Sequence, residues 1–229
     1  MLKKVFKKVG FSTSWSALNK KLSRKNLYEF LDEEFSQIEK DSQVLSIGAG
    51  GGVNKLLNHF AQKQNFSVTS FDIDENRNPD IVGDICSYNF EVFYDVIVIC
   101  EVLEHVHSPH LAVDNLFRTL KNGGKVILST PFILPIHESP YDYYRYTKYG
   151  LSYLFRSFDE IKIKERNSYF EAINVLRVRF PKNKNKVFLS RLLSLIAYIN
   201  LPVVLLLSYF FSSDAMTTGY VMTAVKPNK

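Results

Sequence analysis

The fold is decided by the stretch QVLSIGAGGGV, which covers residues 43–53. Its first part, VLSI, is short and mostly apolar, as in a buried strand, and GAGGG follows it as a glycine-rich turn at residues 48–52. The next segment, up to residue 64, repeats apolar residues at helical spacing. Glycines at such a junction permit a tight turn and let a ligand approach the backbone. The stretch therefore predicts a strand–turn–helix unit at a ligand-binding edge.

The rest of the chain continues this alternation of helices and strands. We predict further helices at residues 26–40, 110–120 and 147–158, the second closed by Asn122-Gly123-Gly124. We predict further strands at residues 66–74, 80–85, 94–103, 125–131, 159–167 and 219–227. Strands that alternate with helices indicate an open, mostly parallel α/β sheet.

Length and composition are those of one ordinary globular domain. The chain has 229 residues, of which 46% are apolar and 23% charged, and this excludes a disordered or fibrous protein. Two cysteines are too few for a disulfide scaffold or a four-cysteine zinc site. The basic start is not followed by an apolar run of signal-peptide length, so we expect a cytoplasmic protein.

The positive charge is concentrated in two segments. Residues 1–28 hold eight Lys or Arg and residues 172–213 hold six, and neither segment contains an acid. The remainder carries 15 basic and 23 acidic residues. Both basic segments contain or adjoin apolar residues, which favours an anionic membrane surface over nucleic acid as a partner. We therefore divide the chain into a basic N-terminal arm, residues 1–25, and one domain, residues 26–229.

Two classes of cofactor fit a glycine turn of this kind. A dinucleotide site requires G-x-G-x-x-G, and its third glycine would fall at Val53. The spacing present, Gly48-x-Gly50-x-Gly52, is that of an S-adenosylmethionine site. Asp72 ends the next predicted strand about twenty residues on, where a carboxylate can bind ribose hydroxyls.

Several motifs in order give the chain a family resemblance. VLSIGAGGGV, FDID, GDI, YDVIVICEVLEHV and LKNGGKVILSTP together resemble class I S-adenosylmethionine-dependent methyltransferases, in a subgroup acting on small molecules. The resemblance runs from Gln43 to Pro131 and includes the last strand, GYVMTAVKP. It implies a Rossmann-like sheet of seven mostly parallel strands, with the last antiparallel, helices on both faces and an apolar helical insertion before the last strand.

The resemblance also implies which residues hold the cofactor. Asp72 would bind the ribose hydroxyls, and Asp84 would face the adenine amino group. Ser46 stands where the family often has an acid that helps to hold the methionine ammonium, so this contact is expected to be weaker or made elsewhere. Glu101 and Glu104 either touch the methionine end or face solvent. The predicted cofactor set is Ser46, Gly48, Ala49, Gly50, Gly52, Asp72, Ile73, Asp84, Ile85 and Glu101.

The acceptor is expected at the loop formed by residues 132–150. This loop resembles an H-x-x-P-x-D-Y-x-R-x-T run in methyltransferases encoded with bacterial surface-polysaccharide genes. The matching residues are His137, Pro140, Asp142, Tyr143, Arg145 and Thr147.

A hydroxyl acceptor must lose a proton, and a base assists this step by roughly 10²–10⁴-fold. His137 is the first candidate for that base and His105 the second. Arg145 either clamps a phosphate or carboxylate of the acceptor or pairs with Asp142 and shapes the loop. His105, His107 and His110 lie in a turn without a paired carboxylate motif, so we expect no metal ligand.

An apolar segment, residues 187–211, lies within an insertion that covers residues 170–213. Its length suits a membrane span, but Pro202 divides it, and a single crossing would separate the last strand from its sheet. Three interpretations remain open: helices that cover the acceptor pocket, a segment in the membrane interface, or an oligomer contact.

The sequence thus predicts a methyltransferase acting on a hydroxyl of a sugar or lipid-linked glycan intermediate of cell-surface polysaccharide synthesis. The alternatives are a quinone or isoprenoid-lipid methyltransferase and a non-catalytic adenosylmethionine-binding scaffold subunit. The expected partners are a small-molecule or lipid-linked acceptor and an anionic membrane surface that contacts residues 1–28 and 172–213. We expect no nucleic-acid partner and a protein peripheral to the inner face of the membrane.

Overall fold

The computed structural model describes residues 23–180, 187–211 and 213–228. The predicted basic arm therefore lies outside the described residues except for its last three positions. The strands are β1 (Gln43–Ile47), β2 (Ser67–Asp72), β3 (Ile81–Val82), β4 (Tyr94–Cys100), β5 (Leu120–Pro131), β6 (Asp159–Glu165) and β7 (Gly219–Val225). The helices among these residues are α1 (Lys25–Ser36), α2 (Gly51–Gln64), α3 (Pro109–Thr119), α4 (Lys148–Leu154), α5 (Tyr169–Val178), α6 (Val187–Ile199) and α7 (Leu201–Phe210).

All seven strands form one sheet in the order β3-β2-β1-β4-β5-β7-β6. Pairing is parallel from β3 to β5, and β7 is antiparallel to both of its neighbours. The predicted Rossmann-like sheet with an antiparallel last strand is thereby confirmed. The strand order reverses between β1 and β4, and ligands of such sheets bind outside the carboxyl ends of the strands at this point.

The central strands are buried on both faces, which explains why their sequences are apolar almost throughout. One face packs against α1 and α2, whose apolar side chains include Leu31, Phe35 and Leu57. The other face packs against α3 and α4 through residues such as Leu116 and Leu151. Helices on both faces leave the carboxyl edge as the open place for a ligand.

The strand predicted at 125–131 begins earlier than expected, and the helix predicted at 147–158 ends earlier. The helix at 110–120 ends at Thr119, but Asn122-Gly123-Gly124 lies inside β5 and not in a loop. The pairing register shifts between Tyr94 and Val96 at this place, so the glycines form an irregular start of the strand. The helix predicted at 147–158 is limited to α4, and α5 was not predicted.

The apolar segment folds as two helices, α6 and α7, bent by 54°. Pro202 lies in the first turn of α7, where a proline is tolerated, so the predicted break falls at Asn200. No single helix among the described residues is long and apolar enough to cross a membrane, and this pair reaches that length and composition only when taken together across its bend.

Candidate functional site

The glycine turn after β1 leaves open space beside the backbone. Gly48, Gly50 and Gly51 have φ values of +92°, +95° and +73°, a backbone conformation that residues with a side chain rarely adopt. A Cβ atom on Gly48 would meet a Val102 methyl carbon at 2.5 Å. A Cβ atom on Gly50 or Gly51 would have no heavy atom within 4 Å. The turn can therefore receive a ligand close to its main chain.

Asp72 connects this turn to the end of β2. One carboxylate oxygen accepts a hydrogen bond from the Ala49 backbone amide at 2.7 Å, and the other accepts one from the Asp74 amide at 2.9 Å. Each oxygen retains a further lone pair for a ligand. Ile73 follows directly with its side chain 71% exposed, which offers an apolar surface at the same edge.

Asp84 and Ile85 follow β3 and differ in exposure. The Asp84 carboxylate accepts a hydrogen bond from the Cys86 amide at 2.9 Å and remains partly exposed. Ile85 is buried in the core, and its carbonyl accepts a hydrogen bond from Asn115. Of this pair, Asp84 is the residue with a side chain able to reach a ligand.

Ser46 is buried and bonded to a residue that the sequence did not single out. Its hydroxyl donates to the Asn54 side-chain oxygen at 2.6 Å. Asn54 lies in the first turn of α2, among polar positions that give no periodic signal. Their pairing joins β1 to α2 behind the glycine turn, at the place where the family often carries an acid.

These residues fit the predicted cofactor, S-adenosylmethionine. The open backbone at Gly50 and Gly51 would admit its amino-acid part, and the Asp72 carboxylate would bind a ribose diol. Ile73 would cover the adenine ring, and Asp84 would accept from its amino group. The predicted set thus converges at one edge of the sheet, with Ile85 and Ser46 supporting it from inside.

Glu101, directly after β4, forms a buried ion pair with Arg166, directly after β6. The Ser129 hydroxyl also donates to this carboxylate at 3.2 Å. Burial alone would raise the pKa of Glu101, but the Arg166 charge outweighs it and the net shift is downward. Glu101 has a φ of +58°, a rare conformation for this residue type. Its predicted contact with the cofactor would therefore be made by a carboxylate already held by arginine.

Glu104 is fully buried, and neither carboxylate oxygen has a hydrogen-bond partner. Burial, with the negative charge of Glu101 as the second cause, raises the pKa of Glu104 to about 8. The alternative that Glu104 faces solvent is thus wrong. A buried acid with a raised pKa at the ligand edge is typical of catalytic sites.

Two histidines lie against Glu104. Its Oε1 atom is 3.7 Å from His105 Nε2 and 3.8 Å from His137 Nε2. The two imidazole rings meet edge to face, with centroids 4.9 Å apart. These three side chains are close enough to share a cation, and the expectation of no metal ligand stays a prediction. His107 and His110 are exposed and lie outside this Glu104 cluster.

Backbone hydrogen bonds hold the acceptor loop against the turn that carries Glu104. The Tyr143 and Tyr144 amides donate to the Glu104 carbonyl at 2.9 and 3.2 Å. The Tyr146 hydroxyl donates to the Leu103 carbonyl, and His105 Nδ1 lies 2.6 Å from the Tyr141 carbonyl oxygen. The loop then ends at Thr147, whose hydroxyl caps α4.

Asp142 organises the polar side chains of the loop. Its carboxylate pairs with both terminal nitrogens of Arg145, and this charge-assisted pairing lowers the pKa of Asp142 to about 2. The same carboxylate accepts from the His137 amide and lies 3.5 Å from His137 Nδ1. Of the two alternatives for Arg145, the structure shows internal pairing with Asp142.

His137 is therefore held between two carboxyl groups. Asp142 faces its Nδ1 atom and Glu104 faces its Nε2 atom. Partial burial is the main cause that lowers the pKa of His137, so the ring is mostly neutral at pH 7. A neutral imidazole oriented by a carboxylate at Nδ1 can accept a proton at Nε2.

Comparison with known proteins agrees with this geometry. A family model described as a methyltransferase domain matches residues 18–173. A protein of Coxiella burnetii named ubiquinone biosynthesis O-methyltransferase is 28% identical over 131 aligned positions, and the alignment covers 51% of this chain. The chain spans 52% of the length of that curated relative.

Solved structures share the fold. Haemonchus contortus phosphoethanolamine N-methyltransferase 2, in complex with S-adenosyl-L-methionine, aligns with a TM-score of 0.58 at 20% identity over 89% of this chain and 52% of that one. A SAM-dependent methyltransferase from Archaeoglobus fulgidus aligns with a TM-score of 0.58 at 13% identity over 89% of this chain and 95% of that one. At these identities the likeness concerns the fold.

Proposed function

The chain belongs to the methyltransferase domain family, in the class I S-adenosylmethionine-dependent group, and we propose that it methylates a hydroxyl oxygen of a small-molecule acceptor. S-adenosylmethionine, when bound, supplies an activated methyl group on a sulfonium. The glycine turn and Asp72 would hold that cofactor at the carboxyl edge of the sheet. The remaining task of this chain is to orient the hydroxyl and to remove its proton.

The arrangement of Glu104, His105 and His137 carries the proposal of O-methylation. The His137 Nε2 atom would accept the hydroxyl proton, since Asp142 lies at Nδ1 and the ring is mostly neutral at pH 7. Glu104, 3.8 Å from the same Nε2 atom, would stabilise the imidazolium that forms. Glu104 is therefore proposed as an additional site residue beside the predicted His137, His105 and Asp142.

The proposed acceptor is a sugar hydroxyl of a lipid-linked glycan intermediate of surface-polysaccharide synthesis. Support comes from the loop motif that includes His137, Asp142 and Arg145, and from the exposed rings of Tyr141 and Tyr143 beside it. Small-molecule sites combine aromatic surfaces with a few fixed polar groups, and this loop has both. Arg145 would act by holding Asp142, not as a clamp on an acceptor phosphate.

A phenolic hydroxyl of an isoprenoid quinone precursor is the second candidate acceptor. The observation in its favour is the likeness to the relatives named ubiquinone biosynthesis O-methyltransferase. The same proton acceptor serves both substrate classes, because both reactions methylate a hydroxyl. A non-catalytic scaffold is disfavoured, since it has no use for a buried acid beside two imidazoles. We retain the cytoplasm as the proposed compartment; its support is the two free thiols of Cys86 and Cys100.

The test is an acceptor panel with methyl-labelled S-adenosylmethionine and the purified full chain. The panel contains a diphosphate-linked lipid sugar, the same sugar without its lipid, and a polyprenylated catechol, each in detergent micelles. We expect labelled product from the lipid-linked sugar, with the methyl on oxygen by mass spectrometry. Label on the catechol alone would favour the second candidate. Label on a nitrogen or carbon atom, or none on any hydroxyl, would overturn the proposal.

A further inference from the structure

The helix pair α6–α7 has its large apolar side chains on the outside. The side chains that α6 buries are small: Ser190, Ser194 and Ala197. Phe188 on α6 is 81% exposed and Leu206 on α7 is 58% exposed. The exposed apolar residues of the pair are Val187, Phe188, Leu189, Leu192, Leu195, Ile196, Ile199, Val203, Leu205, Leu206, Tyr209, Phe210 and Phe211. We call this set the outer apolar face.

The inner side of the pair makes polar contacts with α5 and the residue that caps it. The hydroxyl of Ser208 on α7 lies 2.6 Å from that of Ser168, the N-cap of α5. The buried side-chain amide of Asn174 donates to the Ala197 carbonyl at 3.0 Å. Small residues on α6 let the helix backbones approach closely, which is the packing that helices use in lipid. The polarity of this pair is thus opposite to that of a helix on a water-soluble surface.

The outer apolar face is attached to the carboxyl edge of the sheet. The insertion leaves the sheet at Arg166 and returns at Gly219, and the Arg166 amide donates to the Gly219 carbonyl at 2.9 Å. The Phe132 amide, at the start of the acceptor loop, donates to the Thr218 carbonyl at 2.8 Å. Because both ends of the insertion lie at one edge, the pair can enter a surface without carrying the chain across it.

The charge of the insertion indicates which kind of surface the outer apolar face contacts. Residues 172–213 contain six basic residues and no acid, and Arg191 is exposed on α6 itself. Three lysines precede α6 in the sequence PKNKNK, although that segment lies outside the described residues. Large groups of exposed apolar side chains on a soluble protein usually mark an interaction site, and here the exposed Arg191 lies among them. Basic residues beside exposed apolar side chains are typical of helices that lie in the interface of anionic membranes.

We propose that the outer apolar face of α6–α7 docks into the headgroup region of an anionic bilayer without crossing it. Docking would bring the carboxyl edge, with Glu104 and the acceptor loop, close to the membrane. A lipid-linked acceptor could then reach the site while its lipid stays in the bilayer. That consequence rests on the proposed function, whereas the docking itself rests on the outer apolar face and on the basic residues of 172–213.

The experiment is flotation of the full chain with phosphatidylcholine vesicles that contain or lack phosphatidylglycerol, at low salt. The test variant is Phe188→Ser/Leu206→Ser on the outer apolar face. The matched control is Val92→Ser/Phe93→Ser, since Val92 and Phe93 are 49% and 57% exposed in the loop before β4. We expect the wild type to float with the anionic vesicles, the test variant to lose roughly tenfold or more in partitioning, and the control to stay within about twofold of the wild type.

Folding is checked by the thermal shift that S-adenosylhomocysteine produces in each variant, which reports on the cofactor half. A wild type that stays in the soluble fraction would overturn the docking. So would equal losses in the test and control variants. A dimer that Phe188→Ser/Leu206→Ser converts to a monomer, with no vesicle binding by either form, would assign the face to a second copy instead. If the chain methylates the lipid-linked sugar in detergent but does not float with vesicles, only the docking proposal is refuted. If it floats but methylates no hydroxyl, only the proposed function is refuted.

Discussion

The carboxylate of Glu101 and the guanidinium of Arg166 form a buried ion pair that joins the ends of β4 and β6 across the two strands between them. The close approach depends on Gly219, because a Cβ atom there would lie 3.0 Å from the Arg166 guanidinium carbon and 2.5 Å from the Thr130 carbonyl oxygen. The pair thus links the strand that precedes Glu104 to the strand that leads into the insertion. It also supplies the negative charge that helps to raise the pKa of Glu104.

Replacing one member of this pair is expected to be costly. Arg166→Met leaves the Glu101 carboxylate buried without its partner, a change that typically destabilises by about 3–5 kcal/mol. The double variant Glu101→Gln/Arg166→Met should recover much of that loss, because it removes both charges of the pair together. Urea unfolding measures both. The surface pair Lys121–Asp95 gives the control, and Lys121→Met should cost no more than about 1 kcal/mol. A double variant as unstable as Arg166→Met would contradict the prediction.

Asp72 is expected to be required for cofactor binding. At a hundred times its dissociation constant, S-adenosylhomocysteine should stabilise the wild type by about 2.7 kcal/mol, which is a shift of a few degrees in Tm. In Asp72→Ala this shift should disappear, since the proposed ribose contact and the bond to the Ala49 amide are both lost. Asp74→Ala, which changes a nearby, partly exposed capping carboxylate, should keep it. Full retention of the shift in Asp72→Ala would show that the glycine turn has been misinterpreted.

The cofactor half could be predicted from sequence because its signals are local. The glycine turn and the strands around it are each decided within a few residues, and their alternation with helices indicates a mostly parallel sheet. Asn122-Gly123-Gly124 was misassigned because two glycines look the same in a turn and in a strand that starts with a bulge. The partner of Ser46 was missed because Asn54 has no pattern that sets it apart from other polar residues on its helix.

The cluster of Glu104 with His137 could not be derived in this way. The helix α3, the strand β5 and the start of the acceptor loop lie between the two residues, and their contact depends on hydrogen bonds from the Tyr143 and Tyr144 amides to the Glu104 carbonyl. Sequence could name His137 but not what it faces. For the insertion, one signal was available: Ser190, Ser194 and Ala197 recur at helical spacing and mark the buried side of α6. The hydrophobic pattern draws attention to the leucines instead, and most of these lie on the outer apolar face.

Removal of the proposed proton acceptor should separate catalysis from binding. We expect His137→Ala to lower kcat by roughly 10²–10⁴-fold while the thermal shift with S-adenosylhomocysteine stays unchanged. Asp142→Asn should give a smaller loss in kcat, because the ring remains but loses the carboxylate beside Nδ1. His110→Ala, which alters an exposed imidazole on α3, is the control. Equal turnover in His137→Ala and the wild type would assign the base to another residue.

The pH dependence of kcat should reflect the ionisation of the Glu104 carboxyl group. If the ionised carboxylate stabilises the His137 imidazolium, kcat rises with pH and levels off above the pKa of Glu104, which is about 8. In Glu104→Gln this rise should be absent, and the remaining rate should follow His137 alone, whose pKa lies below its ordinary value. Initial rates across pH 5.5–9.5 in the labelled-methyl assay, about one point every half unit, give the profile. The same rise near pH 8 in Glu104→Gln would refute this role.

The free energy of unfolding should also depend on the titration of Glu104, but it should fall with pH where kcat rises. The carboxyl group of Glu104 has a pKa of about 8 in the folded chain, against an ordinary value of 4.5. Between these two values the folded chain holds a proton that the unfolded chain releases, so the stability that Glu104 contributes is fully present below pH 4.5 and is lost as pH rises towards 8. For one proton the folding equilibrium constant falls by at most about tenfold per pH unit. Glu104→Gln cannot release this proton, so its free energy of unfolding should decline less steeply over that window, and the variant should be the more stable form at pH 8.5. Urea unfolding at several pH values measures the difference, with the exposed Glu91→Gln as control. If the free energy of unfolding falls equally with pH in Glu104→Gln and in the wild type, Glu104 is ionised over the whole pH range. The raised pKa of Glu104 would then be refuted.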